Sequence, residues 1–341
     1  MTIDTRGKTK TTRRDFLVRA STLAAGTAAA MAAGLPFATA AMAEDSLLKG
    51  KNLSYIAFGL QYEYQVTLVN RVKELAAEKG INISVYDGKG DPSTQTTQLL
   101  DVVSKQPDII LLNAVDATLL QGGVRKANES KIPLFMLENL PPEGEWVAYN
   151  TFDDVAGGAA GADAMAKLIG GKGLVLEVRG AIGSGQSEKR FKGFHDQVAA
   201  KYPDIKIDVL KAEWTADNAQ TLTVDAFTRE PNVAGIWAHN DEMIRGVVSA
   251  LRQIDRLKLA GEDGHVPIVG FDGTPLGLQR IREGTQDADV GQNPFSMAES
   301  IVGEMENHFA GKPVKKETLI QPVMITKENV DSQDNWGNRV K

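Results

Sequence analysis

The chain has 341 residues, no cysteine, and 38 basic against 44 acidic residues, a formal net charge of −6. The absence of cysteine excludes a disulfide framework, a thiolate metal site and a thiol nucleophile. The acidic balance argues against nucleic acid as a partner, which needs clustered lysine and arginine to neutralise phosphates.

The first predicted element is an export signal. Arg6, Lys8, Lys10, Arg13, Arg14 and Arg19 crowd the first nineteen positions, Ala20 to Ala43 carries no charge, and Ala41-Met42-Ala43 precedes Glu44. Basic flank, apolar segment and small-x-small site are the three parts of a cleavable secretory signal. Arg13-Arg14-Asp15-Phe16-Leu17 resembles the twin-arginine class, a receptor-read address rather than an anchor. A membrane helix is the alternative, but the segment is only weakly apolar, and Gly34 and Pro36 interrupt it. Residues 1–43 are therefore expected to be removed, leaving a periplasmic protein that begins near Glu44. That remainder, about 298 residues with 32 basic and 42 acidic side chains, is large enough for one large or two medium domains.

Further along, short apolar runs alternate with amphipathic stretches. Residues 53–59 read as a strand, and Val66, Val69, Val72, Leu75 and Ala76 fall at helical spacing before the stop at Lys79-Gly80. A strand at 81–86 and a helix from Asp91-Pro92 to 103 follow. Residues 108–112 (DIILL) form a continuous apolar run, as expected of a parallel strand covered on both faces. A helix over 117–129 and a strand over 132–137 close this set. The pattern restarts with a strand at 146–150 and a helix at 153–169, whose Gly157, Gly158 and Gly161 suggest close packing against a neighbour. Strands are predicted at 173–178, 205–210, 233–238 and 266–271, with helices at 187–201, 217–229, 241–254 and 275–282. A last helix runs from Pro294 to Phe309, the chain after Val323 crosses back to the second unit, and the polar tail from Lys327 carries weak signals. Two α/β units with parallel sheets fit this alternation better than one sheet of ten strands.

In open α/β sheets a ligand lies beyond the carboxyl ends of the strands. The residues there are Gln61, Tyr62, Tyr64 and Gln65; Glu138 and Asn139; Arg179-Gly180 and the loop 183–188; Glu213-Trp214; His239-Asn240-Asp241; Asp272; and Gln292. Carboxylates and amides make directional hydrogen bonds to hydroxyls, and aromatic faces cover the C–H side of a sugar, so this set suits a neutral polyhydroxylated ligand. Structural alternatives stand beside this reading. Asp272 and Asn240-Asp241 could cap the helices that follow them, and Tyr62 and Tyr64 could simply pack. The loop 183–187 lacks the Gly-Lys-Ser/Thr ending of a phosphate cradle. His195, His239, His265 and His308 have no ligand-like spacing and read as ordinary histidines, so neither a metal nor a cofactor is expected. A catalytic alternative is an exported carbohydrate-active enzyme using paired carboxylates such as Glu138 and Glu188.

Four motifs in order carry a family resemblance: Asp153-Asp154-x-x-Gly157-Gly158, Arg190-x-x-Gly193-Phe194, Asn240-Asp241-Glu242-Met243, and Val269-Gly270-Phe271-Asp272-Gly273-Thr274-Pro275. Residues 53–325 resemble the periplasmic sugar-binding proteins of ABC transporters, ribose/galactose branch. The same core occurs in sugar-responsive repressors, but here an export signal stands where their DNA-binding segment would be. The resemblance implies a type I periplasmic binding fold, α/β, with two similar doubly wound parallel-sheet lobes joined by a three-strand hinge. Lobe 1 would comprise 50–151 plus 293–321, and lobe 2 would comprise 152–292 plus 322–336. The implied function is capture of a monosaccharide or sugar alcohol by a non-catalytic monomer that delivers it to a membrane permease. A sugar-sensing subunit for a chemoreceptor or sensor kinase would use the same pocket.

The resemblance also implies the contacts. Asn240, Asp272 and Gln292 would hydrogen-bond hydroxyls, with Trp214 stacking on the sugar. Phe58, Gln61, Tyr62, Tyr64 and Gln65 would serve from the first lobe, Gln65 replacing a second aromatic. Glu138-Asn139 stands where ribose-type members have Asp-Arg. Glu188 stands where they place a ligand-binding arginine, whereas a two-residue shift of that loop puts Arg190 there instead. These departures disfavour plain ribose and favour a polyol, an unusual sugar or a ligand carrying an amine.

Overall fold

A computed structural model describes residues 46–340. The expected export signal, residues 1–43, lies outside the described residues. Among the described residues, no helix is long and apolar enough to cross a membrane.

The first half alternates β1 (Asn52–Ala57), α1 (Glu63–Glu78), β2 (Asn82–Asp87), α2 (Pro92–Ser104), β3 (Ile109–Asn113), α3 (Gln121–Glu129), β4 (Leu134–Leu137) and β5 (Ala148–Phe152). The second continues with α4 (Asp154–Ile169), β6 (Gly173–Arg179), α5 (Gly185–Lys201), β7 (Ile205–Lys211), α6 (Ala216–Arg229), β8 (Val233–Ala238), α7 (Asp241–Gln253), β9 (Ile268–Asp272), α8 (Pro275–Glu283) and β10 (Ala288–Gly291). The chain then returns through α9 (Pro294–Phe309), β11 (Glu317–Ile320) and β12 (Val323–Thr326).

These strands form two six-stranded sheets, ordered β11-β5-β4-β3-β1-β2 and β12-β10-β9-β8-β6-β7. All pairings are parallel except that of β12 with β10, an antiparallel edge. The chain passes between the sheets three times: from β5 to α4, from β10 to α9, and from β11 to β12. Strand order reverses beside β1 in one sheet and beside β6 in the other, which opens a crevice at the carboxyl ends of each.

Period-two alternation puts apolar side chains on both faces of each sheet. In β3, Ile109 and Leu111 face a core shared with α1 and α9, while Ile110 and Leu112 face one shared with α2 and α3. In the second sheet, Ile236 and Ile268 pack with α6 and α7, whereas Trp237, Val269 and Phe271 pack with α4 and α5.

Departures from the predicted boundaries have local causes. β4 and β9 begin after Pro133 and Pro267, which cannot donate to a sheet ladder. α3 begins at Gln121 rather than 117, because the Asp116 carboxylate accepts the N–H groups of Thr118 and Leu119 at 2.9 and 3.1 Å and holds a turn there. β11 is a further finding, a half-exposed edge strand without an apolar run. The polar tail is also ordered. Its short helical turn Trp336–Asn338 buries Trp336 against Tyr64, with ring centroids 6.2 Å apart.

Candidate functional site

The carboxyl ends of the two sheets face one cavity, lined by Phe58, Tyr62, Tyr64, Gln65, Gln186, Arg190, Trp214, Asn240, Asp272 and Gln292. From the first sheet, β1 delivers Phe58, and the first turn of α1 delivers Tyr64 and Gln65. Tyr62 meets Phe58 edge-on at 5.7 Å, and Tyr64 packs against Phe152 at 6.3 Å. Gln65 is fixed by a buried relay. Asn113 donates to its Oε1 at 3.0 Å, and its own Nε2 donates to Glu138 Oε2 at 3.0 Å.

From the second sheet, α5 projects Arg190, 2% exposed, as the floor. Its Nε donates to Asp154 at 2.8 Å, Nη1 to the His239 carbonyl at 2.5 Å and Nη2 to Gln292 Oε1 at 3.2 Å. Gln292 in turn donates to Asp272 Oδ1 at 2.6 Å, so one amide ties the guanidinium to the carboxylate. The guanidinium also lies 3.5 Å over the Phe271 ring. Trp214 reaches the cavity through two consecutive left-handed residues, Glu213 at φ 54° and itself at φ 67°. Its indole lies on Gly180, where a Cβ would come within 2.3 Å of the ring, so only glycine leaves room. The indole N–H is buried without a partner.

Asp272 sits at φ 120°, a strained setting for a residue other than glycine, and its carbonyl accepts the Trp336 indole N–H at 2.7 Å. Burial pushes its carboxyl well above the usual range, against the pull of Arg190 and with a push from Asp241. Glu138 is also pushed up, by burial foremost. The capping alternatives divide. Asn240 Oδ1 does cap α7, accepting from Met243 N at 2.8 Å, yet the residue also lines the cavity. Asp272 does not cap α8: Thr274 Oγ1 takes the Gly277 N–H of that helix at 2.9 Å, and the Asp272 carboxylate instead accepts the backbone N–H of Asp241 at the start of α7.

Four of the expected contacts do not line the cavity. Gln61 is exposed beside Gly59 and Gly90. Glu138 is buried behind Gln65, and Asn139 turns its amide to the Ala114 carbonyl at 2.7 Å. Glu188 points outward, half exposed, into an ion pair with Arg179 at 2.5 Å. Helical phase explains the last: α5 starts at Gly185, so Gln186 and Arg190, four apart, share a face that Glu188 cannot share. Arg190 therefore lines the cavity and Glu188 does not, and Gln186 is the lining residue that sequence reasoning missed. Glu138 and Glu188 thus offer no carboxylate pair to a common cavity. Among the described residues, no cluster of three His, Asp or Glu side chains could hold a metal ion.

Comparison with known proteins gives this geometry its relatives. A family model described as periplasmic binding protein domain matches residues 53–313. The chain belongs to the periplasmic binding protein family. Among its relatives, the ribose import binding protein of Escherichia coli (strain K12) is 28% identical over 291 residues, 84% of this chain and 93% of the relative. The xylitol-binding protein of Mycolicibacterium smegmatis is 33% identical over 259 residues, 75% of this chain and 72% of the relative. The crystal structure of the Caulobacter myo-inositol binding protein bound to myo-inositol superposes with a TM-score of 0.75 at 27% identity, covering 82% of this chain and 94% of that one. As in other members of this periplasmic binding protein family, two α/β lobes of one chain face each other.

Proposed function

We propose that this protein captures a monosaccharide or sugar alcohol between its two lobes and hands it to the permease of an ABC importer. The observation that carries this reading is the cavity itself. Aromatic rings enter from both sheets, at Phe58, Tyr62, Tyr64 and Trp214, and amides and one carboxylate converge between them. Rings cover the C–H faces of such a ligand, while Gln186, Asn240 and Asp272 meet its hydroxyls. Relatives named for ribose and xylitol support the same ligand class.

The three chain crossings near residues 152, 292 and 321 serve as the hinge, dividing 50–151 plus 293–321 from 152–292 plus 322–336. Ligand contacts in both lobes favour the closed form through their differential affinity for it. The basic, twin-arginine-like leader sends the protein to the periplasm, where it acts as a monomer without catalysis.

A thermal-shift screen of residues 44–341, refolded to strip carried ligand, tests the reading against pentoses, hexoses, inositols, linear polyols and amino sugars. A ligand that binds only the folded state raises the melting temperature by mass action. One strong hit among sugars or polyols is the expected result; a flat panel on folded protein would overturn it.

A further inference from the structure

Behind the second-lobe wall of the cavity lies a cluster that ligand contacts do not use. Glu177 on β6 is fully buried, and two imidazoles hold its carboxylate. His195 Nε2 stands 2.6 Å from Oε2, and His239 Nε2 stands 2.8 Å from Oε1. On the other edge of its ring, His239 Nδ1 faces the Gly180 N–H at 3.5 Å. An N–H donor there makes Nδ1 the acceptor, so the ring proton belongs on Nε2, aimed at Glu177. A carboxylate can accept from both rings at once, and a buried one needs such donors.

His239 reaches each part of the wall. Its carbonyl accepts from Arg190, its backbone leads directly into Asn240, and its ring holds Gly180, on which the Trp214 indole lies. We propose that Glu177 is a positioning residue for ligand binding: by locking His239 it fixes Arg190, Asn240 and the Gly180–Trp214 floor together without touching the ligand. Burial pushes the His239 ring below the usual imidazole range despite the opposite pull of Glu177, which keeps it neutral. Arg179 and Arg190 are the cations that face the ring. His195 forms the solvent side of the cluster, stacked on Phe191 at 3.9 Å.

This inference rests on the cavity being the ligand site, and its test separates the two. In Glu177→Gln, the amide oxygen still accepts from His239, while the NH2 group faces His195, whose half-exposed ring can exchange tautomers. In Glu177→Leu, the His239 Nε2–H loses its acceptor. Imidazole ¹⁵N spectra of the ligand-free protein should show the proton of His239 on Nε2 in wild type and Gln variant. The Trp214 indole resonance, assigned through Trp214→Phe, should move in the Leu variant and stay in the Gln variant. Calorimetric titration with xylitol, D-ribose and myo-inositol should show about tenfold weaker binding of the accepted probe in the Leu variant, with Gln restoring most of it. Should the Leu variant not fold, His239→Phe, which keeps a ring but neither ring hydrogen bond, takes its place. A wild-type His239 protonated on Nδ1, or an unmoved Trp214 resonance, would overturn the proposal. Binding of none of the three probes would count against the ligand reading alone, since the ligand-free spectra still decide the role of Glu177.

Discussion

Arg190 and Trp214 define the site at the scale of single residues. All three guanidinium nitrogens of Arg190 are engaged by protein acceptors, which leaves it a fixed floor rather than a mobile arm. Trp214 is 7% exposed and offers its ring to the cavity. Trp214→Ala should weaken ligand binding by at least about tenfold, roughly 1.4 kcal/mol, measured by titration with the best panel ligand. Asp289 gives a pH test at the same scale. It is fully buried, and burial, then the Asp241 carboxylate beside it, pushes its carboxyl well above the usual range. An acid raised on folding binds more protons folded than unfolded, so stability falls as pH rises from about 4, the unfolded value, through the folded one. Asp289→Asn, which mimics the protonated form, should therefore melt higher than wild type near neutral pH, the gap closing as pH falls toward 4. A gap independent of pH would contradict this. Residue types at the strand ends were legible from sequence, and Asn240, Asp272, Gln292 and Trp214 all reach the cavity. Direction was not: whether Glu188 or Gln186 faces inward depends on where α5 begins, and no residue of the loop marks Gly185 as that start.

At the scale of elements, the α4–α5 crossing aligns the site's ion pair, since α4 carries Asp154 and α5 carries Arg190. The two backbones nearly touch. A Cβ on Gly193 would lie 2.1 Å from the Val155 carbonyl oxygen, and one on Gly158 would lie 2.2 Å from that of Arg190. Gly193→Ala should thus push the helices apart, costing about 1–3 kcal/mol in thermal unfolding and weakening ligand binding with it. Unchanged melting and binding would refute the close-packing account. The glycines of α4 announced this crossing in the sequence, as the apolar runs announced the central strands. Edge strands were harder: β11 alternates exposed and half-buried positions and pairs only with β5, so no apolar run marked it.

At the scale of the whole molecule, apolar and aromatic side chains link the two sheets. Phe58 and Val115 of the first sheet's loops join the apolar cluster of the second. Trp336, from the far end of the chain, packs on Tyr64 of the first lobe while donating to the Asp272 carbonyl of the second. Truncating it opens a large buried volume, so Trp336→Ala should cost about 3–5 kcal/mol of stability, and loosening Asp272 should lower affinity too. A loss of stability without any loss of affinity would confine Trp336 to packing. Its role was hidden because a lone tryptophan in a polar tail has no periodic partners to announce its burial. The proposed function requires that one small polyhydroxylated molecule bind between the lobes. The most direct test is calorimetric titration of ligand-free protein, residues 44–341, with the strongest sugar or polyol of the panel, beside Trp214→Ala. One molecule bound per chain, lost or sharply weakened in the variant, is the predicted result; equal binding by both proteins, or none by folded wild type, would contradict it.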